Sequence, residues 1–588
     1  MSVLLLLAVC EAPAMIISQN GVARCKVVVA GSALAPDRQA ADELVRLLGQ
    51  VTGGSFELVH AKPAQGHHIY VGAEAAGLID AANHVDGIGE GGIVIKSIGE
   101  DLVIAGGAPR GTLYAVYTFL EAHVGCRWWT PAAATIPRKP NLTIESLDVR
   151  YEPKLELRDI GMATEPDWCA RNKVNGPDVE FDERHGGPRF TIIAHNKWHS
   201  GTFWTIIPPN VYFKDHPEYF SEIDGKRVHT VPQYPGTSLC LTNDEMRKEF
   251  VHNARLALQW HPWANLFSIS QIDDSGEPNR CMCGPCTAIE REDNPSGLIV
   301  RFVNSVAADL KQHFPDMTFD TLAYHYSQAP PKVTRARDDV LIRLCPIKVS
   351  HSTPIRESRD DDPLHNQFRD DLAGWSKMAN RIVIWDYAVN FTYHPLPHPN
   401  LRVYGPNIRY YVDHHVTGLF QESDTPFCEL RELRTWLLAK LMWDPNQDSD
   451  ALIAEFCDGY YGPAGKHVAA YINTTHDAVE ASGDYLGLSS GPDAKFLSFD
   501  TLSKCWSHLQ SAAKAVEHDR TLRARIKTVQ LSVLYAFLMK WDELRDQANA
   551  AGATWPVPGS MQDVHGSIVR IARQNGINLK STSSAIPF

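Results

Sequence analysis

The stretch from Phe267 to Cys286 carries two sets of residues that could do chemistry. An apolar run ends in the adjacent carboxylates Asp273 and Asp274, and Cys281 then opens a Cys-x-Cys-x-x-Cys cluster. Two carboxyl groups around a glycosidic bond can hydrolyse it, because one protonates the leaving oxygen and the other acts as base, acts as nucleophile or steers a nucleophile. Thiolates at the spacing of the cluster are typical zinc ligands. The stretch therefore predicts a catalytic carboxylate pair, a metal site, or both.

An adjacent carboxylate pair suits a reaction in which the 2-acetamido oxygen of the sugar attacks its own anomeric carbon. One carboxylate then orients the acetamido N–H, and the other serves as general acid and base. Crowded carboxylates raise each other's pKa, which keeps the acid protonated near neutral pH. The letters Asp-Asp-Ser-Gly also fit an ordinary turn.

The cysteine cluster is incomplete as a closed zinc site. Cys281, Cys283 and Cys286 supply three thiolates, whereas a structural zinc ion takes four ligands. No second Cys-x-x-Cys or His-x-x-x-His motif supplies the fourth. Reduced thiols that brace a loop are one alternative, and a disulfide between Cys281 and Cys286 is another if the protein is exported. We expect no cofactor to be required for catalysis, with a structural zinc ion as the one metal to test.

Eight apolar, strand-like runs follow one another through the middle of the chain, with helical or loop segments between them. Near-continuous apolar strands are typical of a parallel sheet that is buried on both faces. The fold class predicted is α/β, with residues 151–435 forming a (β/α)8 barrel, and a doubly wound open sheet is the alternative. The runs are 155–163, 189–196, 237–243, 265–274, 319–327, 340–347, 381–390 and 416–424.

Barrel enzymes place their active sites at the carboxyl ends of the strands. The residues at these ends include carboxylates, aromatic rings and histidines, which suit a sugar because rings stack on its apolar faces and polar groups bind its hydroxyls. Glu422 joins Asp273 and Asp274 as a catalytic candidate. The candidates for substrate binding are His195, His199, Gln271, Tyr324, Tyr326, Trp385, Asp386 and Asn390.

Two further domains flank the predicted barrel. Residues 1–150 alternate short apolar strands with two amphipathic helices, at 35–54 and 110–125, and predict a small α/β domain. Residues 436–588 carry helical periodicity almost throughout and predict a helical domain.

Composition excludes several classes of partner. The formal net charge of −13 disfavours nucleic acid and anionic membranes, which need clustered Lys and Arg. No apolar run reaches the length of about 18–20 residues that spans a bilayer. The apolar stretch near the N-terminus fits either a signal peptide without its basic residues or a buried strand. The compartment stays open, with a periplasmic or secreted location slightly favoured.

Several motifs together resemble the domain of unknown function 4838 proteins, placed with glycoside hydrolase family 163. They are RGTLYAVYTFLEAHVGCRWWTP, HPEYF, QIDD with CMCGPC, LAYHYSQAPPK, WDYAVNF and LLAKLMWDP. The resemblance implies a retaining, endo-like β-N-acetylglucosaminidase of N-glycans or related oligosaccharides, with acetamido participation. By analogy Asp273 orients the acetamido group and Asp274 is the acid/base; otherwise Asp273 is the acid and Glu422 its partner.

Two rival functions remain at this stage. An α-glucuronidase-like hydrolase needs a cation for the uronate carboxylate, and Arg343 and Lys197 are available. A non-catalytic carbohydrate-binding protein would keep the aromatic residues but would tolerate loss of Asp273 or Glu422. The presence of both carboxylates favours an enzyme that acts on an oligosaccharide or glycoprotein glycan.

Overall fold

The structure is a computed structural model, and it describes residues 14–188, 192–193, 201–229, 238–272, 280–358, 361–423 and 427–577. The chain folds as two compact units. The first comprises Met1–Lys154, Ala163–Asn175 and Val179–Arg189, and the second comprises Leu155–Met162, Gly176–Asp178 and Phe190–Phe588. No helix in the described part of the chain is long and apolar enough to cross a bilayer.

The first unit is built on a six-stranded mixed sheet, accompanied by a three-stranded antiparallel sheet and a hairpin. Its strands are β1 (Met15–Gln19), β2 (Val22–Ala23), β3 (Lys26–Val29), β4 (Leu58–Val59), β5 (His68–Val71), β6 (Ile93–Ile98), β7 (Asp101–Gly106), β8 (Arg127–Thr130), β9 (Ala133–Thr135), β10 (Leu142–Ile144) and β11 (Asp148–Tyr151). Its helices are α1 (Ala35–Thr52), α2 (Ala73–Gly77), α3 (Gly111–Phe119) and α4 (Pro166–Arg171). The large sheet has the order β11-β6-β7-β5-β3-β4.

Both helices predicted near the N-terminus form. Apolar residues of α1 are buried at helical spacing, and the helix ends where Gly53 takes a left-handed φ of 80°. Helix α3 lies very close to β7, since a Cβ on Gly106 would stand 2.4 Å from the carbonyl carbon of Gly111. Only glycine permits so close an approach of two backbones.

The second unit contains a seven-stranded parallel sheet, a short hairpin and the remaining helices. Its strands are β12 (Leu157–Ile160), β13 (Ile192–Ile193), β14 (Glu222–Ile223), β15 (Lys226–Arg227), β16 (Leu266–Ser268), β17 (Thr318–Ala323), β18 (Val340–Leu344), β19 (Ile382–Tyr387) and β20 (Val416–Glu422). Its helices are α5 (Thr202–Ile206), α6 (Pro209–Tyr212), α7 (Asp244–Trp260), α8 (Gly284–Lys311), α9 (Pro363–Met378), α10 (Leu401–Asp413), α11 (Arg431–Trp443), α12 (Ser449–Tyr461), α13 (Gly465–Ser482), α14 (Phe499–Ala515), α15 (Arg520–Met539), α16 (Trp541–Ala550) and α17 (Met561–Gln574).

The parallel sheet has the order β12-β20-β19-β18-β17-β16-β13. Apart from the separate β14–β15 hairpin, each strand from β13 to β20 pairs with the strand that follows it in the chain. The strand β12 pairs with β20, so the first strand of the sheet lies beside the last. This order is that of a sheet curling toward a barrel, and it confirms the mixed α/β class. The helices α11 to α17 confirm the helical C-terminal region. Closure into a complete (β/α)8 barrel stays a prediction, because β12 and β13 are not paired within the described residues.

One of the eight predicted strands is wrong. In the run 237–243, of which the structure describes 238–243, Leu239 makes only an isolated antiparallel bridge to Phe220. This run contains apolar residues for another reason: Leu239 and Cys240 are buried side chains of the loop before α7. The other seven runs each contribute a strand to the parallel sheet.

Alternation along the strands creates a layered interior. Leu157, Leu266, Leu341 and Val383 come from four strands and form one apolar cluster on the same face of the sheet. Successive side chains of a strand point to opposite faces, so the residues two and four positions further along share this face. The same alternation assigns each later residue of β12, β17, β18, β19 and β20 to the interior or to the helices outside.

A buried guanidinium ties together the chain segments that follow β19 and β20. Arg434 on α11 is 1% exposed and donates to the backbone oxygen of Glu429 at 2.7 Å, and to the carboxylate of the same residue. It also donates to the His398 carbonyl, to the Asn400 side chain and, at 3.0 Å, to the Tyr404 hydroxyl. All the polar hydrogens of one side chain are therefore used to hold two loops on a helix.

We expect Arg434→Met to destabilise the second unit by about 3–5 kcal/mol, because it leaves the Glu429 carboxylate buried without its cation. The effect is checked as a fall in thermal and urea unfolding midpoints. The matched control is Lys504→Ala, which removes an exposed ion pair with Asp500 on α14 and should change stability by less than about 0.5 kcal/mol. Equal midpoints for the two variants would contradict the role assigned to Arg434.

Candidate functional site

Glu422 and Trp385 meet at the carboxyl ends of two neighbouring strands. Glu422 is the last residue of β20, and the indole Nε1 of Trp385 on β19 donates to its Oε2 at 2.8 Å. Tyr387 is paired in register with Glu422, and Trp385 with Phe420. Glu422, a predicted catalytic carboxylate, is thus hydrogen-bonded to Trp385, a predicted substrate-binding residue, and both lie on the interior face of the sheet.

Aromatic and apolar side chains form a cluster beneath Glu422. Trp385 and Phe420 pack edge to face with ring centroids 5.0 Å apart, and Tyr387, Cys345 and Leu322 complete the buried cluster. Trp385 is only 8% exposed. Its indole therefore positions the carboxylate and leaves little ring surface for a sugar. Tyr387 and Phe420 were not among the predicted site residues, although the two-residue period through Trp385 and Glu422 would have found them.

The turn after β17 is shaped by a residue in an uncommon backbone conformation. His325 has a φ of +49°, and such strain is concentrated at functional sites. The turn presents Tyr324, which is half-buried against the aromatic cluster. The Ser327 hydroxyl receives the Nε2 hydrogen bond of Gln271 at 3.0 Å. Gln271 Oε1 is buried and has no hydrogen-bond partner within the described residues.

Tyr326 lies beside a cation. The Arg280 guanidinium stands 5.8 Å from the centre of its ring. Arg280 also pairs with Glu290 on α8 at 3.2 Å, and burial raises the pKa of the Glu290 carboxyl. Tyr326 is half-buried, and its place in the candidate site stays a prediction.

Two predicted substrate-binding residues are directed elsewhere. Asp386 lies on the opposite face of β19 from Trp385, where its carboxylate accepts from the Tyr411 hydroxyl at 3.2 Å and from Gln421 at 3.3 Å. Burial raises the pKa of Asp386. Asn390 donates to the Ser490 carbonyl and accepts from two backbone amides, so all of its polar atoms serve the loop. Both assignments are corrected: strand alternation and local turn bonding take these side chains away from the site.

Four predicted residues cannot be placed. Asp273, Asp274, His195 and His199 lie outside the described residues. The described chain stops at Ile272 and resumes at Arg280, so both ends of the segment with the aspartates are placed. Their catalytic and binding roles stay predictions.

A charged layer is buried in the interior of the sheet. The Arg343 guanidinium on β18 pairs with the fully buried Asp320 on β17. Asp159 on β12 shares the face of Leu157, and its pKa is raised to about 8, mainly by burial and also by Asp178, while Arg343 opposes the shift. Because Arg343 is buried and committed to Asp320, the hypothesis that it holds a uronate carboxylate is wrong. The other candidate for that role, Lys197, lies outside the described residues.

The cysteine cluster gains a member that the sequence did not suggest. Cys240, which precedes α7, brings its Sγ to 3.7 Å from Cys283 and 3.9 Å from Cys286. The four sulfur atoms of Cys240, Cys281, Cys283 and Cys286 all lie within 4.8 Å of one another. A lone cysteine about 40 residues upstream carries no spacing signal, so only the fold could reveal it.

A separate cleft of about 820 Å³ opens between the loop after β18, α10 and the end of α13. Its lining is rich in acidic and hydroxyl groups, including Glu357, Asp362, Glu480 and Asp484, with Arg402 as the basic member. None of the predicted site residues lines it, and Asp362 there already accepts from the His365 ring. We do not assign the candidate site to this cleft.

The fold and the strand-end residues define a class: a chain with a curled parallel α/β sheet that has a carboxylate at its carboxyl edge, a helical C-terminal region and a smaller α/β unit. A solved structure with a similar fold is a family GH115 4-O-methyl-α-glucuronidase with specificity for decorated arabinogalactans. The likeness has a TM-score of 0.58 at 11% identity, and covers 97% of this chain and 78% of that one. At this identity the likeness shows the shared fold.

The family is shown by the sequence itself. Residues 128–473, more than half of the chain, match the family described as "Domain of unknown function (DUF4838)". The chain belongs to this family. No curated protein sequence matches it.

We expect the stability of the wild type to fall relative to Asp159→Asn as the pH rises from about 4 to 8. Folded Asp159 holds its proton up to a pKa of about 8, whereas the unfolded carboxyl ionises near its usual value, so unfolding releases a proton in this window. The slope is at most about 1.4 kcal/mol per pH unit. The difference in Tm between the two proteins, followed from pH 4 to 8, measures it, with the exposed Asp458→Asn as control. A difference that does not change with pH would refute the prediction.

Proposed function

We propose that this protein is a glycoside hydrolase whose active site lies at the carboxyl edge of the parallel sheet. One observation carries the proposal: Glu422 ends β20 on the interior face, and the Trp385 indole holds its Oε2 at 2.8 Å. A carboxylate oriented from a rigid strand, over a packed aromatic layer, is what general acid–base or nucleophilic work at a glycosidic carbon requires. The fold shared with the family GH115 enzyme supports the same reaction class.

The second carboxylate comes from the segment after β16. Asp273 and Asp274 follow the described Ile272 directly, and β16 belongs to the same parallel sheet as β20. Carboxyl ends of parallel strands share one edge, which favours a common site. We propose Asp273 and Asp274 as the pair that orients the acetamido group and transfers the proton, with Glu422 as a substrate-binding or alternative catalytic carboxylate.

The proposed substrate is a β-linked N-acetylglucosaminide in an N-glycan or related oligosaccharide. The motif resemblance supports this choice, and acetamido participation would give retention of configuration. The half-buried Tyr324 ring supplies an aromatic surface of the kind that a sugar uses. An α-glucuronide is the second candidate, because the chain shares its fold with an α-glucuronidase. The pairing of Arg343 with Asp320 removes one cation that such a substrate would need.

We expect wild type to hydrolyse an aryl β-N-acetylglucosaminide or a complex biantennary N-glycan, and Asp273→Asn to lower kcat by about 10²–10⁴-fold. Glu422→Gln should also lower kcat, because the amide oxygen can still accept the Trp385 hydrogen bond but the amide can neither ionise nor transfer a proton. Rates and products are measured by chromatography of the released sugars. Glu245→Gln, an exposed change on α7, should leave the rates unchanged.

The contrary outcomes separate the rival functions. Cleavage of an aryl α-glucuronide, with neither acetylglucosamine substrate cleaved, would keep the glycosidase class and reject the proposed substrate. Binding of a glycan without cleavage of any of the three substrates would reject the enzyme in favour of a carbohydrate-binding protein.

Trp385→Phe should lower kcat about 10- to 100-fold with little change in KM. Phenylalanine keeps most of the packing against Phe420 but removes the N–H that holds Glu422, and hydrogen bonds to charged groups contribute about 1.5–3 kcal/mol. Steady-state kinetics on the substrate found above provide the measurement. The exposed Trp260→Phe is the control, and a parallel loss in that variant would show that the effect is not specific to Glu422.

A further inference from the structure

Four buried sulfur atoms converge beside the start of α8. Cys240 comes from the loop before α7, whereas Cys281, Cys283 and Cys286 lead into the first turn of α8. Their side chains are between 0% and 5% exposed. Leu298 is the other buried member of this small cluster, and the half-buried Leu241 and Ile289 pack against it.

The spacing of the sulfur atoms fits a tetrahedral metal site better than a disulfide. Four thiolates bound to zinc at about 2.3 Å stand about 3.8 Å apart. Cys240 Sγ lies 3.7 Å from Cys283 Sγ and 3.9 Å from Cys286 Sγ. A disulfide would require about 2.05 Å, and every cysteine in the described residues is a free thiol.

Hydrogen-bond donors already surround these sulfur atoms. The Glu222 backbone amide donates to Cys281 Sγ at 3.3 Å, and the Arg227 guanidinium does so at 3.5 Å. The Thr242 hydroxyl lies 3.2 Å from Cys286 Sγ. Four thiolates around one divalent ion carry a net charge of −2, which such donors and a nearby cation stabilise. The Glu222 carboxylate, 3.5 Å from Arg227, is the one opposing charge that the contacts show.

We propose that Cys240, Cys281, Cys283 and Cys286 bind one structural zinc ion as a closed four-thiolate site. Tetrahedral coordination by four sulfur ligands is typical of structural zinc and leaves no open position for catalysis. The ion joins the β14–β15 hairpin through Cys281, the loop before α7 and the start of α8. It also fixes the chain directly after Arg280, where the segment that carries Asp273 and Asp274 ends.

The first measurement is the zinc content of the full chain, expressed with zinc available and purified in metal-free buffer. We expect about one zinc per chain by elemental mass spectrometry, and Cys240→Ser should lose most of it. Cys457→Ser is the matched control, because Cys457 is also a buried free thiol but lies on α12 outside the cluster. A wild type without zinc, or with iron in its place, would overturn the proposal, as would a Cys240→Ser protein that keeps its full zinc content.

Two further measurements keep the test valid if Cys240→Ser does not fold. Arg227→Gln retains all four ligands, and we expect it to weaken zinc binding about 10–100-fold in competition with a chromophoric chelator. A strong zinc chelator should lower the Tm of the wild type, and added Zn²⁺ but not Mg²⁺ should restore it. An unchanged Tm in chelator, or alkylation and mass mapping that find Cys240 in a disulfide, would refute the site. Neither readout depends on glycosidase activity, so the proposed function can fail without affecting this test.

Discussion

The ion pair and hydrogen bonds of the Arg434 guanidinium are the interactions on which the geometry at the carboxyl edge of the parallel sheet depends. The charge of Arg434 is almost completely shielded from solvent. It is tolerated because Glu429 supplies the countercharge, and because His398, Asn400 and Tyr404 accept further hydrogen bonds from the guanidinium. The Glu429 carboxylate in turn accepts from the Tyr471 hydroxyl on α13 at 2.7 Å. The loops after β19 and β20 are thereby held by α11 and α13, and these loops continue directly from Tyr387 and Glu422.

The alternation of side chains along a strand places candidate site residues on one face and residues that hold the surrounding helices on the other. On β19 the odd-numbered Trp385 faces Glu422, while the neighbouring Asp386 faces Tyr411 on α10. On β18 Arg343 faces inward but is neutralised by Asp320 inside the sheet. Polar residues near a strand end are therefore not equivalent. Each one is either directed to the edge, buried as part of a charged layer, or used to hold a helix.

The thiol cluster and the candidate site are connected by the chain itself. The same stretch that leaves β16 with Gln271 enters α8 through Cys281, Cys283 and Cys286. Gln271 is fixed by Ser327 and by the Leu322 carbonyl at one end. A metal at the four sulfur atoms would fix the other end. The proposed metal site would then support the stretch of sequence in which we propose the catalytic carboxylates.

The sequence by itself determined the element types and the chemical classes at the strand ends. Apolar runs bounded by turns predicted seven of the parallel strands, and helical periodicity predicted α1, α3 and the C-terminal helices, because burial of apolar faces is a local pattern. Glu422 and Trp385 were found for the same reason, because they lie among the residues that end such runs. The failed run at 237–243 shows the limit of the method, since a buried loop leaves the same apolar letters as a strand.

Tertiary structure decided which of these residues meet. The bond from Trp385 to Glu422 requires β19 and β20 to pair in one register, because a shift of one residue in either strand would turn the side chain of that strand to the other face. The pairing of Arg343 with Asp320 depends on the register between β17 and β18, and the contact of Asp386 with Tyr411 depends on the packing of α10. Cys240 joins three cysteines some 40 residues away only because the chain returns to the same place after α7 and β16. Packing sets the distances between residues that are far apart in the chain, and no local sequence pattern encodes those distances.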